Sequence, residues 1–249
     1  MKFEDYKFMQ LGGNCAYLAY QSNDRRIRGP MDNNILLGVN CIKLLVSNKL
    51  YDFVKTTKFE TKPRPLGYRA GDCEVFSTFP NDTLRFVHNI PSGERFFTNF
   101  KQRCVNFNNF LKKVKTDNKY YFIITLNQAF IELGTGKFKN NKLDEIIKFL
   151  KKYGILNKVI FIGTRATKNK YKKLFNYYIK DINKYMQKVG KFTYIEMLNV
   201  DVWDTASTEN QFKQKMTDLL KVIEKKNKAI KNKKVQASTT YLGYSSLYI

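Results

Sequence analysis

Apolar residues in the second half of the chain fall into two alternating patterns. Mostly apolar runs of strand length, YYFIITL at 120–126, KVIFIGT at 158–164 and FTYIEML at 192–198, are rich in β-branched and aromatic residues and predict strands. Between and after them the apolar residues recur at helical spacing. Leu143, Ile146, Ile147 and Leu150 predict the buried face of a helix over 142–155, and a long helix runs through YKKLFNYYIKDINKYMQKVG to Gly190. A last helix covers about 208–230, with Ser207 or Thr208 as its N-cap. Strand and helix in alternation build a parallel sheet covered on both faces. The predicted fold class is α/β: a single domain, a largely parallel sheet with flanking helices, and a less regular N-terminal half.

In that first half Asn14 can cap a helix reaching about Ser22, and NNILLGVNCIKLLVSN at 33–48 predicts a second. Residues 51–100 mix short strands with the turn signals KPRPLG, RAGD and PSGE, and a helix at about 98–115 precedes the first sheet strand. There is no internal repeat and no linker rich in Gly, Ser or Pro. One domain over 1–235 is therefore expected, followed by a tail, 236–249. The tail carries Tyr241, Leu242, Tyr244, Leu247, Tyr248 and Ile249, apolar enough to dock on the body or on a partner.

Charge adds a second theme. The chain of 249 residues has 45 basic and 21 acidic residues, a net charge of +24, enough to attract phosphates, acidic proteins or anionic surfaces. Residues 1–136 hold 20 basic and 12 acidic residues, whereas 137–234 hold 25 and 9, so the surplus doubles from 8 to 16. The opening MKFEDYKFMQ has no apolar signal core, and no run reaches the roughly 18 apolar residues of a membrane span, so a soluble, cytoplasmic protein is expected. Cys15, Cys41, Cys73 and Cys104 lack the close pairing of zinc ligands, and His88 is the one histidine; no metal is predicted, and free thiols fit a reducing compartment.

Several chemistries are excluded by their missing signatures. GGNC at 12–15 lacks the Lys-Ser/Thr of a phosphate-binding loop and does not follow a convincing strand; LGTGK at 133–137 has no Ser or Thr after Lys137. No G-x-S-x-G elbow is present, and no cofactor is expected. Cys15 is the exception. At the first turn of a helix, unsatisfied amides and the helix dipole favour its thiolate, and Gly12 and Gly13 allow a sharp bend and a close substrate. A nucleophilic thiolate needs a base, and His88, in LRFVHNIPSG, ends a strand-like run before a turn.

The blocks LGGNCAYLAYQSNDRRIRGPMDN, FVHN and FKQRCVNFNNFLKKVKTDNKYYFIITLN, in that order over residues 8–126, resemble the papain-like cysteine peptidase family first labelled a domain of unknown function, DUF1796. The family pattern has a G-x-N-C entry, a P-F-D-W block, an H-D block, a basic helix and then a strand. The resemblance implies Cys15 as nucleophile, His88 as base and Asp32 as the aspartate of the second block. Here that block reads Pro30-Met31-Asp32-Asn33, and Asn89 follows the histidine in place of Asp. An amide can still orient an imidazole, so Asp32 or Asn89 would fix the tautomer. The Cys15 amide, with Asn14 or Gln10, would hold an oxyanion.

The expected activity is that of a thiol-dependent hydrolase, peptidase or amidase, or of an acyltransferase. Arg25, Arg26 and Arg28 would grip an acidic or phosphorylated protein or peptide substrate, or else form a solvated turn. Two other readings stand beside it: a basic protein that tracks nucleic-acid phosphates through 137–234, and a degenerate enzyme fold that acts as an interaction partner through its aromatic tail.

Overall fold

The computed structural model describes residues 2–12, 27–32, 34–36, 39–58, 60–63, 73–79, 82–86, 92–126, 140–165, 184–186, 193–198 and 205–243. Its strands are β1 (Lys7–Gly12), β2 (Asn34–Leu36), β3 (Glu60–Pro63), β4 (Cys73–Phe79), β5 (Asp82–Phe86), β6 (Tyr120–Leu126), β7 (Val159–Arg165) and β8 (Thr193–Leu198). Its helices are α1 (Val39–Val46), α2 (Leu50–Thr56), α3 (Gly93–Thr116), α4 (Asn140–Lys152) and α5 (Thr205–Gly243).

Four strands form an all-parallel sheet in the order β1-β6-β7-β8. Both of its faces are buried, which is why β6 and β7 read as continuous apolar runs. Alternation along each strand sends Met9, Leu11, Phe122, Ile124, Leu126, Val159 and Phe161 into one core, shared with α1, α3 and α4. The intervening Phe8, Tyr121, Ile123, Ile160 and Ile162 join Ile195 and Met197 in a second core under Phe212, Met216 and Leu220 of α5. The predicted α/β architecture is therefore present, with helices on both sides of a parallel sheet.

Helix α3 runs antiparallel to the strand that follows it. Phe100, Cys104, Phe107, Phe110, Leu111 and Val114 recur at three- and four-residue steps and are its buried face. Phe107 stacks on Phe122 with ring centroids 5.3 Å apart, while Phe110, nearer the end of the helix, meets Tyr120 at the start of β6 at 5.2 Å. The N-terminal end of α3 thus lies toward the carboxyl ends of the parallel strands. Helix α4 buries Leu143, Ile146, Ile147 and Leu150 as its spacing predicts, but it stops at Lys152 rather than at 155. Gly154 takes φ +82, its N–H donates to Lys151 O, and the N–H of Ile155 donates back to Leu150 O; this is a Schellman stop.

Other boundaries move for identifiable reasons. A strand, β1, does precede the GGNC block: Phe8, Met9, Gln10 and Leu11 are all buried, so the two-residue alternation that marks a half-exposed strand is missing. The segment 33–48 is not one helix, because Asn34–Leu36 pairs with β5 and the helix begins only at Val39. Helix α3 begins at Gly93, ahead of the expected 98. Helix α5 begins at Thr205, so Ser207 and Thr208 sit inside its first turn rather than capping it, and it continues to Gly243, past residue 236 where a tail was expected. The predicted helices at 14–22 and through 171–190 lie outside the described residues except for a helical turn at 184–186. Residues 34–86 hold a second sheet, antiparallel in the order β2-β5-β4-β3, where sequence gave only scattered short strands. Among the described residues no helix is long and apolar enough to cross a membrane.

Candidate active site

Three stretches converge on the core beneath the carboxyl ends of the parallel strands, the end of a parallel sheet where ligands bind. The first is β1, which ends at Gly12, three residues before Cys15. Its parallel register with β6 shifts between Gln10 and Gly12, a local irregularity where the chain leaves the sheet. Gln10 is fully buried, and its Nε2 reaches the Gly12 carbonyl at 3.5 Å. Because Met9 and Leu11 face the α3 core, alternation puts Gln10 on the α5 side of the sheet.

The second stretch is the turn 29–32. Its Gly29 backs directly onto β1: a Cβ there would lie 3.1 Å from both Cγ and Sδ of Met9. Met31 is fully buried and belongs to the same core as Met9 and Leu11. The N–H of Asp32 donates to the Gly29 carbonyl at 3.3 Å, and its residue is 2 % exposed. Before the turn, Nδ2 of Asn106 on α3 donates to the Arg28 carbonyl at 3.1 Å, while the Arg28 residue itself is exposed. A buried carboxylate four residues from an exposed guanidinium is therefore held by a turn clamped between β1 and α3.

The third stretch is the antiparallel pair β2–β5. Asn34 pairs with Phe86, Ile35 with Arg85 and Leu36 with Leu84. Strand β2 starts two residues after Asp32, and β5 ends two residues before His88. Phe86 anchors this end, edge-on to Phe96 and Phe100 of α3 at 5.7 and 5.9 Å. Met9, Leu11, Met31, Leu84 and Phe86 all belong to one continuous core.

Of the residues singled out in the sequence, Cys15, Asn14, Arg25, Arg26, His88 and Asn89 lie outside the described residues. Those described are Gln10, Arg28 and Asp32, and the structure puts Arg28 and Asp32 on one short clamped segment beside the strand that carries Gln10. Two other cysteines are ruled out as ready nucleophiles by burial. Cys41 is fully buried, and burial, followed by the Asp52 carboxylate, pushes the Cys104 thiol up to about 12. No group of three His, Cys, Asp or Glu side chains suited to a metal ion occurs among the described residues. Sequence reasoning missed Asn106 and the Gly29–Met9 contact, since neither belongs to a motif and both are long-range. No protein-family model matches the chain, and no curated protein and no solved structure matches it either.

Proposed function

We propose that the chain is a thiol-dependent acyl-transfer enzyme of the papain-like kind, with Cys15 as nucleophile, His88 as base and Asp32 as the group that orients His88. The observation that carries this reading is the register of β2 and β5. Pairing of Asn34 with Phe86 means that the segment holding Asp32 and the segment leading to His88 start from the same end of this strand pair. A buried carboxylate beside an imidazole fixes its tautomer and stabilises the imidazolium. Burial of Asp32 and the packing of Gly29 on Met9 support the same arrangement, since they hold the carboxylate against the strand that leads to Cys15.

In this reading the Cys15 sulfur attacks a carbonyl carbon after its proton has passed to His88. The oxyanion is received by the Cys15 amide and the Asn14 side chain, and the bond to the leaving group breaks as His88 returns the proton to it. Water or another acceptor then gives its proton to His88 and attacks the thioester, releasing the acyl group and regenerating the thiol. Gln10, whose amide reaches the Gly12 carbonyl, supports the turn into Cys15 rather than the oxyanion. Arg28, exposed beside Asp32, suits a substrate that carries a carboxylate or phosphate.

Trapping of the acyl-enzyme tests the proposal. The protein is incubated with p-nitrophenyl acetate and digested at low pH, and acetyl groups are located by peptide mass spectrometry. The expected result is an acetyl group on Cys15 that turns over in the wild type, persists longer in His88→Ala and is missing in Cys15→Ala. Acetylation confined to lysines, at equal rates in all three proteins, would refute the reading.

A further inference from the structure

Helix α5 changes character along its length. As far as Ile223 it covers the sheet: Phe212, Met216 and Leu220 are buried and Ile223 packs against them. The Tyr6 hydroxyl then donates to Oε1 of Glu224 at 2.9 Å, fastening the helix beside β1. On the side opposite that apolar stripe stand Lys221, Lys225 and Lys228, all exposed, and with Glu224 they line an open hollow of about 310 Å³. Steps of four and three residues hold the three lysines within about 60° of arc and about 10 Å of helix axis. That length is close to one Debye length, so their fields act together.

The three lysines outnumber the two carboxylates beside them, Glu224 and Asp218. Glu224 is engaged by the Tyr6 hydroxyl, and Asp218 approaches Lys221 at 3.7 Å with both side chains mostly in water, an interaction that salt readily weakens. Beyond Glu224 the helix runs on to Gly243, and its sequence adds Lys226, Lys231, Lys233 and Lys234 without one Asp or Glu. At 39 residues α5 is about 58 Å long, against about 23 Å for the longest strands it covers. The sheet is covered by a basic rod much longer than itself.

We propose that the outer face of α5 around Lys221, Lys225 and Lys228 binds the phosphate backbone of a nucleic acid. A row of point charges suits a polyanion with regularly repeated charge, and lysine lacks the planar fork that reads a carboxylate or a guanine edge. Recognition is therefore of backbone rather than of base sequence. A membrane surface fits less well. A helix that lies in an interface buries an apolar face there, and as far as Ile223 the apolar face of α5 is already taken by the sheet. Between Ser207 and Ala229 of α5, Val222 is the one exposed large apolar side chain among those described.

Fluorescence anisotropy of the full chain with a labelled oligouridylate and a labelled RNA duplex, titrated between 50 and 200 mM salt, tests this site. Each phosphate neutralised contributes about 0.7 (single strand) to 0.9 (duplex) to the log–log salt slope. The triple variant K221E/K225E/K228E should therefore lose a slope of about two to three and bind at least tenfold more weakly. The matching glutamine variant, which keeps the helix and removes only charge, should move in the same direction. K148E/K151E/K152E, on exposed positions of α4 with the same change in net charge, should stay near wild type. The proposal is overturned if wild type binds neither RNA, if the α4 and α5 variants weaken equally, if the glutamine variant binds as wild type, or if only phosphatidylserine vesicles are bound.

Discussion

Asn34 of β2 faces Phe86 of β5 across an antiparallel pair, so the strand that follows Asp32 lies beside the strand that leads to His88. Asn34 and Phe86 are 52 residues apart in sequence, and Phe86 belongs to the core that also contains Met9 and Leu11 of β1. The parallel sheet supplies the strand into Cys15, and the antiparallel sheet supplies the approach to His88. Asp32 lies at the junction of the two.

If Asp32 orients His88, Asp32→Asn should slow alkylation of Cys15 at neutral pH by tenfold or more while the melting temperature changes little, because the amide keeps the shape and loses the charge. Iodoacetamide kinetics read by peptide mass spectrometry provide the comparison. A large fall in melting temperature with an unchanged Cys15 rate would make the residue structural.

Gly29→Ala should cost about 1 kcal/mol, within the usual range for overpacking, because the new methyl meets Met9 Cγ and Sδ at 3.1 Å. Urea denaturation of this variant, of Met9→Val and of the double variant measures the coupling. The loss should shrink when the longer methionine side chain is gone.

Burial pushes the Cys104 thiol up to about 12 in the folded chain, well above the ordinary thiol range. Above pH 9 the unfolded chain releases this proton and the folded one does not, so the unfolded state binds fewer protons and stability falls as pH rises from 9 toward 12. Cys104→Ala should flatten that fall, as measured by urea midpoints from pH 8 to 11. In the native protein at pH 8.5 the Cys104 thiol is held protonated by its burial, so its alkylation should be very slow.

Tyr6→Phe removes the hydroxyl that binds Glu224 and should destabilise the fold by about 0.5–1.5 kcal/mol. Burial, followed by that hydrogen bond, holds the Tyr6 hydroxyl protonated well above its ordinary range. Hydrogen exchange should quicken in α5 near Glu224 before it quickens in β6. Equal protection of α5 in both proteins would show that apolar packing alone seats the helix.

Strand β6 was legible to the residue because both of its faces are buried and Tyr120–Leu126 leaves an apolar signal interrupted only by Thr125. Strand β1 was not: Gln10 interrupts a short run flanked by charge, and its partner β6 lies more than a hundred residues away, so nothing local reports the pairing. Thr208 looks like a cap because its side chain could accept a backbone N–H, yet the helix begins three residues earlier and Thr208 turns into the buried side. At the candidate site, residue types drew attention to Cys15, His88 and Asp32, but the clamp around Asp32 could not be read. The bond from Asn106 to Arg28 spans 78 residues, and Gly29 earns its place only once Met9 is packed behind it.

The most direct test is the pH dependence of iodoacetamide alkylation at Cys15, in the wild type and in His88→Ala, with buried Cys41 and Cys104 as internal references for a folded chain. A coupled Cys15–His88 site predicts rapid alkylation of Cys15 well below the free-thiol pKa of about 8.5, lost in His88→Ala while the two references remain slow. Cys15 reacting only near 8.5, at the same rate with or without His88, would contradict the account.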